Sequence, residues 1–193
     1  MSPLRMRLRS DTQVDHTRID ALYSRYDLTD VTGLSRFLSA HAVALSWCLE
    51  SLPAAMDECR RSIAALILDA GSDLERLGQP SRTSSPAAFT SFQGDPLGLV
   101  YVVAGSRLGG RVLLRQVRRA DDPLVASSTT YLSSEAGDEL WQTTLEALQA
   151  WSGAPADEDR LIAGARSGFQ YFEDAYFAVQ GLTTENDFQY SVA

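Results

Sequence analysis

The sequence predicts an all-α protein, a single-domain helical bundle spanning residues 1–193, and three observations carry that expectation. Apolar residues recur at a spacing near 3.6 in six stretches, 11–25, 32–52, 54–77, 96–119, 135–151 and 156–180, the period of a helix with one buried face. One long connection separates them, and neither repeats nor low-complexity tracts appear. A chain of 193 residues, 45% of them hydrophobic, can bury one sizeable core, whereas two domains would each be thin.

The first stretch opens at Ser10 or Asp11, whose short side-chain oxygens suit an N-cap, and puts His16 in its second turn. His16 and Asp20 stand four residues apart and so share a face. A lone histidine near a helix start is most often a surface or capping residue. A metal-binding histidine usually gives its other ring N–H to a carboxylate, and Asp20 is placed to receive it.

The second stretch carries His41 inside the apolar run 37–45, which reads as a core or interface histidine. Cys48 and Cys59 flank Pro53 without CxxC spacing, and with only two histidines in the chain they cannot assemble a conventional structural zinc site. Two reduced thiols are expected of a cytoplasmic protein. After the third stretch, 79–95 is rich in Ser, Pro and Thr and is the long loop.

The fourth stretch holds the most informative segment, Tyr101-Val102-Val103-Ala104-Gly105-Ser106-Arg107-Leu108-Gly109-Gly110. Each interior glycine costs a helix roughly 1 kcal/mol against alanine, so a cluster implies that something approaches the backbone closely. A crossing helix and a flat ligand are the two candidates, and small residues alone favour the crossing. No Gly-Lys-Ser/Thr follows, which excludes a phosphate loop. Ser106 either holds a water or bonds back to its own helix. Arg107, Arg111, Arg115 and Arg118 descend one side, as a solvated face or as partners of an acidic group. In the last stretch Phe169, Phe172 and Tyr176 form one aromatic stripe, the usual mark of core, and 181–193 is expected to be a loosely held tail.

Two motifs read together narrow the choice. Leu8-Arg9-x-x-Thr12-x-x-x-His16 near the start and Tyr101-Val102-x-x-Gly105-Ser106-x-Leu108-Gly109-Gly110 half way along resemble the bacterial heme oxygenases, in particular those that supply biliverdin to bacterial phytochromes. Phe37-Leu38-Ser39-Ala40-His41-Ala42, Leu49-Glu50-x-Leu52 and Asp73-Leu74-x-x-Leu77-Gly78 follow the same order, so the resemblance covers most of residues 8–180.

The resemblance implies a heme oxygenase-like bundle and a heme-degrading monooxygenase. Heme would be substrate and cofactor, opened to biliverdin, carbon monoxide and iron with O2 and electrons from an external reductant. The donor would be a protein such as a ferredoxin or a reductase, and a phytochrome could receive the product. His16 matches the proximal ligand of the heme iron, with Asp20 behind it in place of a longer glutamate. Gly105, Ser106, Gly109 and Gly110 match the distal helix, which lies low over the oxygen-binding face and, lacking an acid, leaves proton delivery to ordered water. Arg9 matches a basic residue near the propionates, a pairing suited to arginine. Phe169 would touch the macrocycle. Tyr131 would offer its hydroxyl to a propionate, or else be a buried structural tyrosine. Ala104 stands where the family commonly has glutamate. A heme carrier without turnover and a helical module without heme are the competing readings.

Charge and composition remove other classes. The formal net charge is -8, and nucleic-acid binding wants a basic face. All 17 basic residues other than histidine are arginine, which excludes Schiff-base lysines and lysine dyads. Arg5, Arg7 and Arg9 are followed by no apolar h-region, and no stretch approaches roughly 20 apolar residues. A cytoplasmic protein that neither enters membranes nor is exported is therefore expected.

Overall fold

Residues 3–79 and 91–181 are described by the computed structural model of the chain, and these form α-helices without strands: α1 (Pro3–Asp11), α2 (Gln13–Tyr23), α3 (Val31–Ser51), α4 (Asp57–Arg76), α5 (Pro96–Val117), α6 (Pro123–Ser127), α7 (Glu135–Gln149) and α8 (Pro155–Gln180). Most of the expected loop 79–95 and all but the first residue of the expected tail lie outside the described residues.

Three helices start by one device. Asp30, Asp95 and Asp122 turn a carboxylate oxygen onto backbone N–H groups of the helix that follows, at 2.7 Å for Thr32, 2.9 Å for Leu97 and 2.8 Å for Leu124. Proline fills the first helical position after Asp95 and Asp122, where its missing N–H costs nothing. Gly181, at φ +72°, closes α8 in the left-handed conformation.

The N-terminus departs from expectation. A separate helix, α1, occupies 3–11, so Ser10 and Asp11 belong to its last turn and cap nothing. Alternating arginines at 5, 7 and 9 hid its stripe, which consists of Leu4 and Leu8, both buried. The break falls at Thr12, a buried residue whose hydroxyl donates back to the Leu8 carbonyl at 2.7 Å. His16 therefore lies in the first turn of α2.

The core is built around α3, which packs against α4 on one side and α8 on another, while α7 closes over α4 and α5. Leu34, Leu38, Leu45, Ile63, Leu66 and Leu99 are fully buried there, each burial worth about 1.5–3 kcal/mol before entropy is counted. The α5–α8 pair is the most intimate. A Cβ on Gly98 would land on the Leu161 carbonyl oxygen, and one on Gly164 would land on that of Asp95. The Asp95 N–H donates to the Arg160 carbonyl at 2.8 Å. Helix crossing thus uses glycines at 98 and 164, not the cluster at 105–110.

Among the described helices α5 is long and apolar enough to cross a membrane by length and composition, with a mean hydropathy of 1.4 over its window. Part of that apolar surface is covered by α3, α7 and α8.

Candidate functional site

Helices α2 and α5 both rest on α8 yet make almost no contact with one another. On α2 only Leu22 is buried, with Ile19 and Tyr23 partly buried against the core. The helix is fastened to α8 by polar contacts: Arg18 to Glu173 at 3.1 Å, Asp15 to Arg166 at 3.7 Å, and the Tyr23 hydroxyl donating to the Phe172 carbonyl at 2.9 Å.

His16 is exposed, with its Nδ1 3.0 Å from an Asp20 carboxylate oxygen. In the neutral ring that nitrogen carries the proton and donates, so the lone pair is on Nε2. The ring meets the edge of Phe169 on α8, centroids 5.9 Å apart. The i, i+4 spacing of the sequence pairs His16 with Asp20, and the fold adds the edge of Phe169 to that pair.

One stripe of α5 runs Tyr101, Gly105, Gly109, Val112, Gln116 at helical spacing. A Cβ added at Gly105 or Gly109 would meet nothing within 4 Å. Toward its C-terminal end the stripe opens into a cavity of about 560 Å³ lined by Thr29 of the α2–α3 turn with Val112, Arg115, Gln116 and Arg119. At the other end Arg5 and Arg9 of α1 bring positive charge to the half-buried Tyr101 phenol, which burial pushes up. Arg9 itself is exposed beside Met6, Ser10 and Gln13.

The other residues of the glycine segment differ. Ser106 donates to the Val103 carbonyl at 2.7 Å, the bond back to its own helix. Gly110 is buried, yet an added Cβ would stand 4.0 Å from the Leu132 carbonyl oxygen, an ordinary contact that does not demand glycine. Ala104 is wholly buried. Helix α5 stays helical through all three glycines.

An aromatic cluster spans from α2 toward α5. Tyr23 lies 4.9 Å from His41, His41 lies 5.4 Å from both Phe172 and Tyr131, and the Arg107 guanidinium stands 4.9 Å above the Tyr131 ring. Burial pushes the His41 pKa down to about 4, with the Arg107 charge acting in the same direction, while its Nδ1 bonds the Phe37 carbonyl at 2.9 Å. His41 is thus a neutral core histidine. Tyr131, 2% exposed, belongs to this core. Its burial favours the structural tyrosine over the propionate partner.

The sequence is 35% identical over 141 residues to a heme oxygenase of Xanthomonas campestris pv. campestris (strain 8004), a match covering 71% of this chain and 80% of the relative. The chain belongs to the heme oxygenase family. Its structure is similar to crystal structures of the NO- and CO-bound heme oxygenase from Neisseria meningitidis, with a TM-score of 0.71 over 94% of each chain at 20% identity. That likeness shows the heme oxygenase fold. No family model matches the sequence.

For a heme oxygenase the donor set fits a porphyrin. Helix α2 carries an exposed imidazole oriented by Asp20, α5 lacks side chains at Gly105 and Gly109, and Arg5 and Arg9 stand on α1. Three further residues of this heme oxygenase lie in the sequence motifs, which did not reveal their structural roles. Tyr101 carries its signal in the i, i+4 spacing to Gly105. Arg107 was indistinguishable from its exposed neighbours Arg111, Arg115 and Arg118. Asp73 stood in the landmark Asp73-Leu74-x-x-Leu77-Gly78 with no role of its own, yet it is fully buried.

Proposed function

We propose that this chain binds heme between α2 and α5 and opens it to biliverdin, carbon monoxide and iron. The observation that carries the reading is an Asp20-oriented, exposed His16 on α2 together with empty space beside Gly105 and Gly109 on α5. When bound, heme supplies the iron at which dioxygen is activated and the meso carbon that is attacked.

The chain's own residues set the geometry of that attack. His16 would hold the iron through Nε2, with Asp20 keeping the ring in register. Phe169 walls the macrocycle beside His16. Gly105 and Gly109 let the helix lie low, confining the oxygen-binding face. Arg9, with Arg5 and Tyr101, draws the propionates to the α1 end. Because Ser106 is committed to Val103 and Ala104 carries no acid, protons reach this face through ordered water. Electrons come from an external protein of the ferredoxin or reductase kind, and the biliverdin formed suits a phytochrome acceptor.

Hemin titration tests the reading. A Soret band with an axial-histidine signature is expected, followed by bleaching and a biliverdin band when ascorbate and oxygen are added. An unchanged free-hemin spectrum overturns heme binding, and a complex that persists under reductant and oxygen overturns turnover.

A further inference from the structure

A helix stripped of side chains on one face cannot fix its own height over a ligand, so other contacts must set the level of the 105–110 segment. Its N-terminal half is locked at Gly98 against α8. Beyond Ala104 a long polar side chain, that of Arg107, turns into the protein instead of out of it.

Arg107 is half-buried. Its Nη2 donates to the Tyr131 carbonyl at 2.8 Å and its guanidinium covers the Tyr131 ring. Its stem fills the space over Gly137 of α7, where an added Cβ would lie 2.9 Å from Arg107 Cδ and 3.1 Å from Cγ, and closer still to Nε. Among the described residues no carboxylate pairs with this guanidinium. Its partners are a carbonyl and an aromatic face, both of fixed position.

The Tyr131 seat is itself anchored from another helix. Asp73 of α4, fully buried, accepts the Thr130 N–H at 3.0 Å and the Tyr131 N–H at 2.9 Å with its two oxygens. A buried carboxylate that spends both oxygens on consecutive amides fixes that turn in place. The path from Asp73 through the 130–131 turn to Arg107 therefore ties the roof helix to the body of the bundle.

We propose that Arg107 is a positioning residue that sets the height of the Gly105–Gly110 roof, and through it the meso carbon at which heme is cut, with Asp73 holding its seat. The proposal rests on the reading of the α2–α5 slot as the heme site. In that slot a small rise of the roof would relax the constraint on where bound oxygen leans.

Two variants test it. Arg107→Ala removes the anchor. Gly137→Ala leaves Arg107 in the sequence and adds a methyl that displaces its flexible stem, which covers the case in which Arg107→Ala does not fold. In hemin-free protein, amides of 104–112 are expected to exchange at least about tenfold faster in both variants while those of α3 are unchanged. With hemin and ascorbate, the ratio of biliverdin isomers is expected to shift while hemin affinity stays within a few-fold. Unchanged exchange in the 104–112 amides overturns the anchoring role, and faster exchange with an unchanged isomer ratio overturns the link to the cut. If the unsubstituted protein binds no hemin, the heme reading fails, and the exchange measurement still decides the role of Arg107.

Discussion

Nδ1 of His16 and a carboxylate oxygen of Asp20 lie 3.0 Å apart on the exposed face of α2, a contact that orders the ring before any ligand arrives. His16→Ala is expected to abolish the axial-histidine spectrum of the hemin complex. Asp20→Asn should preserve that spectrum and weaken hemin affinity about 10- to 100-fold, read by absorbance titration. Unaltered affinity in the asparagine variant would show that Asp20 gives the ligand no support.

The glycines of α5 separate into two kinds that mutation can tell apart. Gly98→Ala forces a methyl onto the Leu161 carbonyl, backbone against backbone, and should cost about 3 kcal/mol of stability, measured by urea unfolding. Gly109→Leu meets open space and gains helix propensity of just under about 1 kcal/mol, so the fold should hold or strengthen while biliverdin formation stops. Normal biliverdin yield from the leucine variant would remove the low-roof argument.

His41 makes stability depend on pH with a definite sign. Its pKa is lowered to about 4 in the folded protein, chiefly by burial among Tyr23, Phe37, Tyr131 and Phe172 and further by the Arg107 charge. The unfolded chain therefore takes up a proton first, near pH 6.5. The contribution is complete above that value and is lost progressively as pH falls to about 4, on the order of 3 kcal/mol in all. Urea midpoints at neutral and mildly acidic pH should diverge in the native protein, and the His41 share of that divergence should vanish in His41→Phe.

Asp73→Ala strips the acceptors from two backbone amides that the fold keeps from water. A loss of roughly 2–4 kcal/mol is expected, seen as a lowered midpoint. An unchanged midpoint would mean that water reaches the Thr130 and Tyr131 amides.

The sequence told different things about different elements. Helices α3, α5, α7 and α8 were legible almost to the residue because their apolar spacing is regular and their starts carry Asp, Pro or Glu. The break at Thr12 was not, since it depends on a side chain turning back to Leu8, and α1 was masked by alternating arginines. The pairing of His16 with Asp20 followed from helix geometry alone. The inward turn of Arg107 did not, because nothing in an i, i+4 row of arginines says which one finds a carbonyl and a ring. The burial of Tyr131 likewise depends on Asp73, far away in sequence. Local periodicity shows which residues share a face, whereas long-range polar contacts decide which face goes inside.

Near His16, helix α2 is tied to α8 through Arg18–Glu173 and Asp15–Arg166, whereas its apolar contacts with the core gather at Ile19, Leu22 and Tyr23 toward the other end. Partly exposed charge pairs of this kind weaken as ionic strength rises and the Debye length shrinks from about 10 Å at 0.1 M to 3 Å at 1 M. The bundle core, held by apolar burial, does not share that sensitivity. Concentrated salt should therefore loosen the segment bearing His16 while the rest of the molecule stays folded.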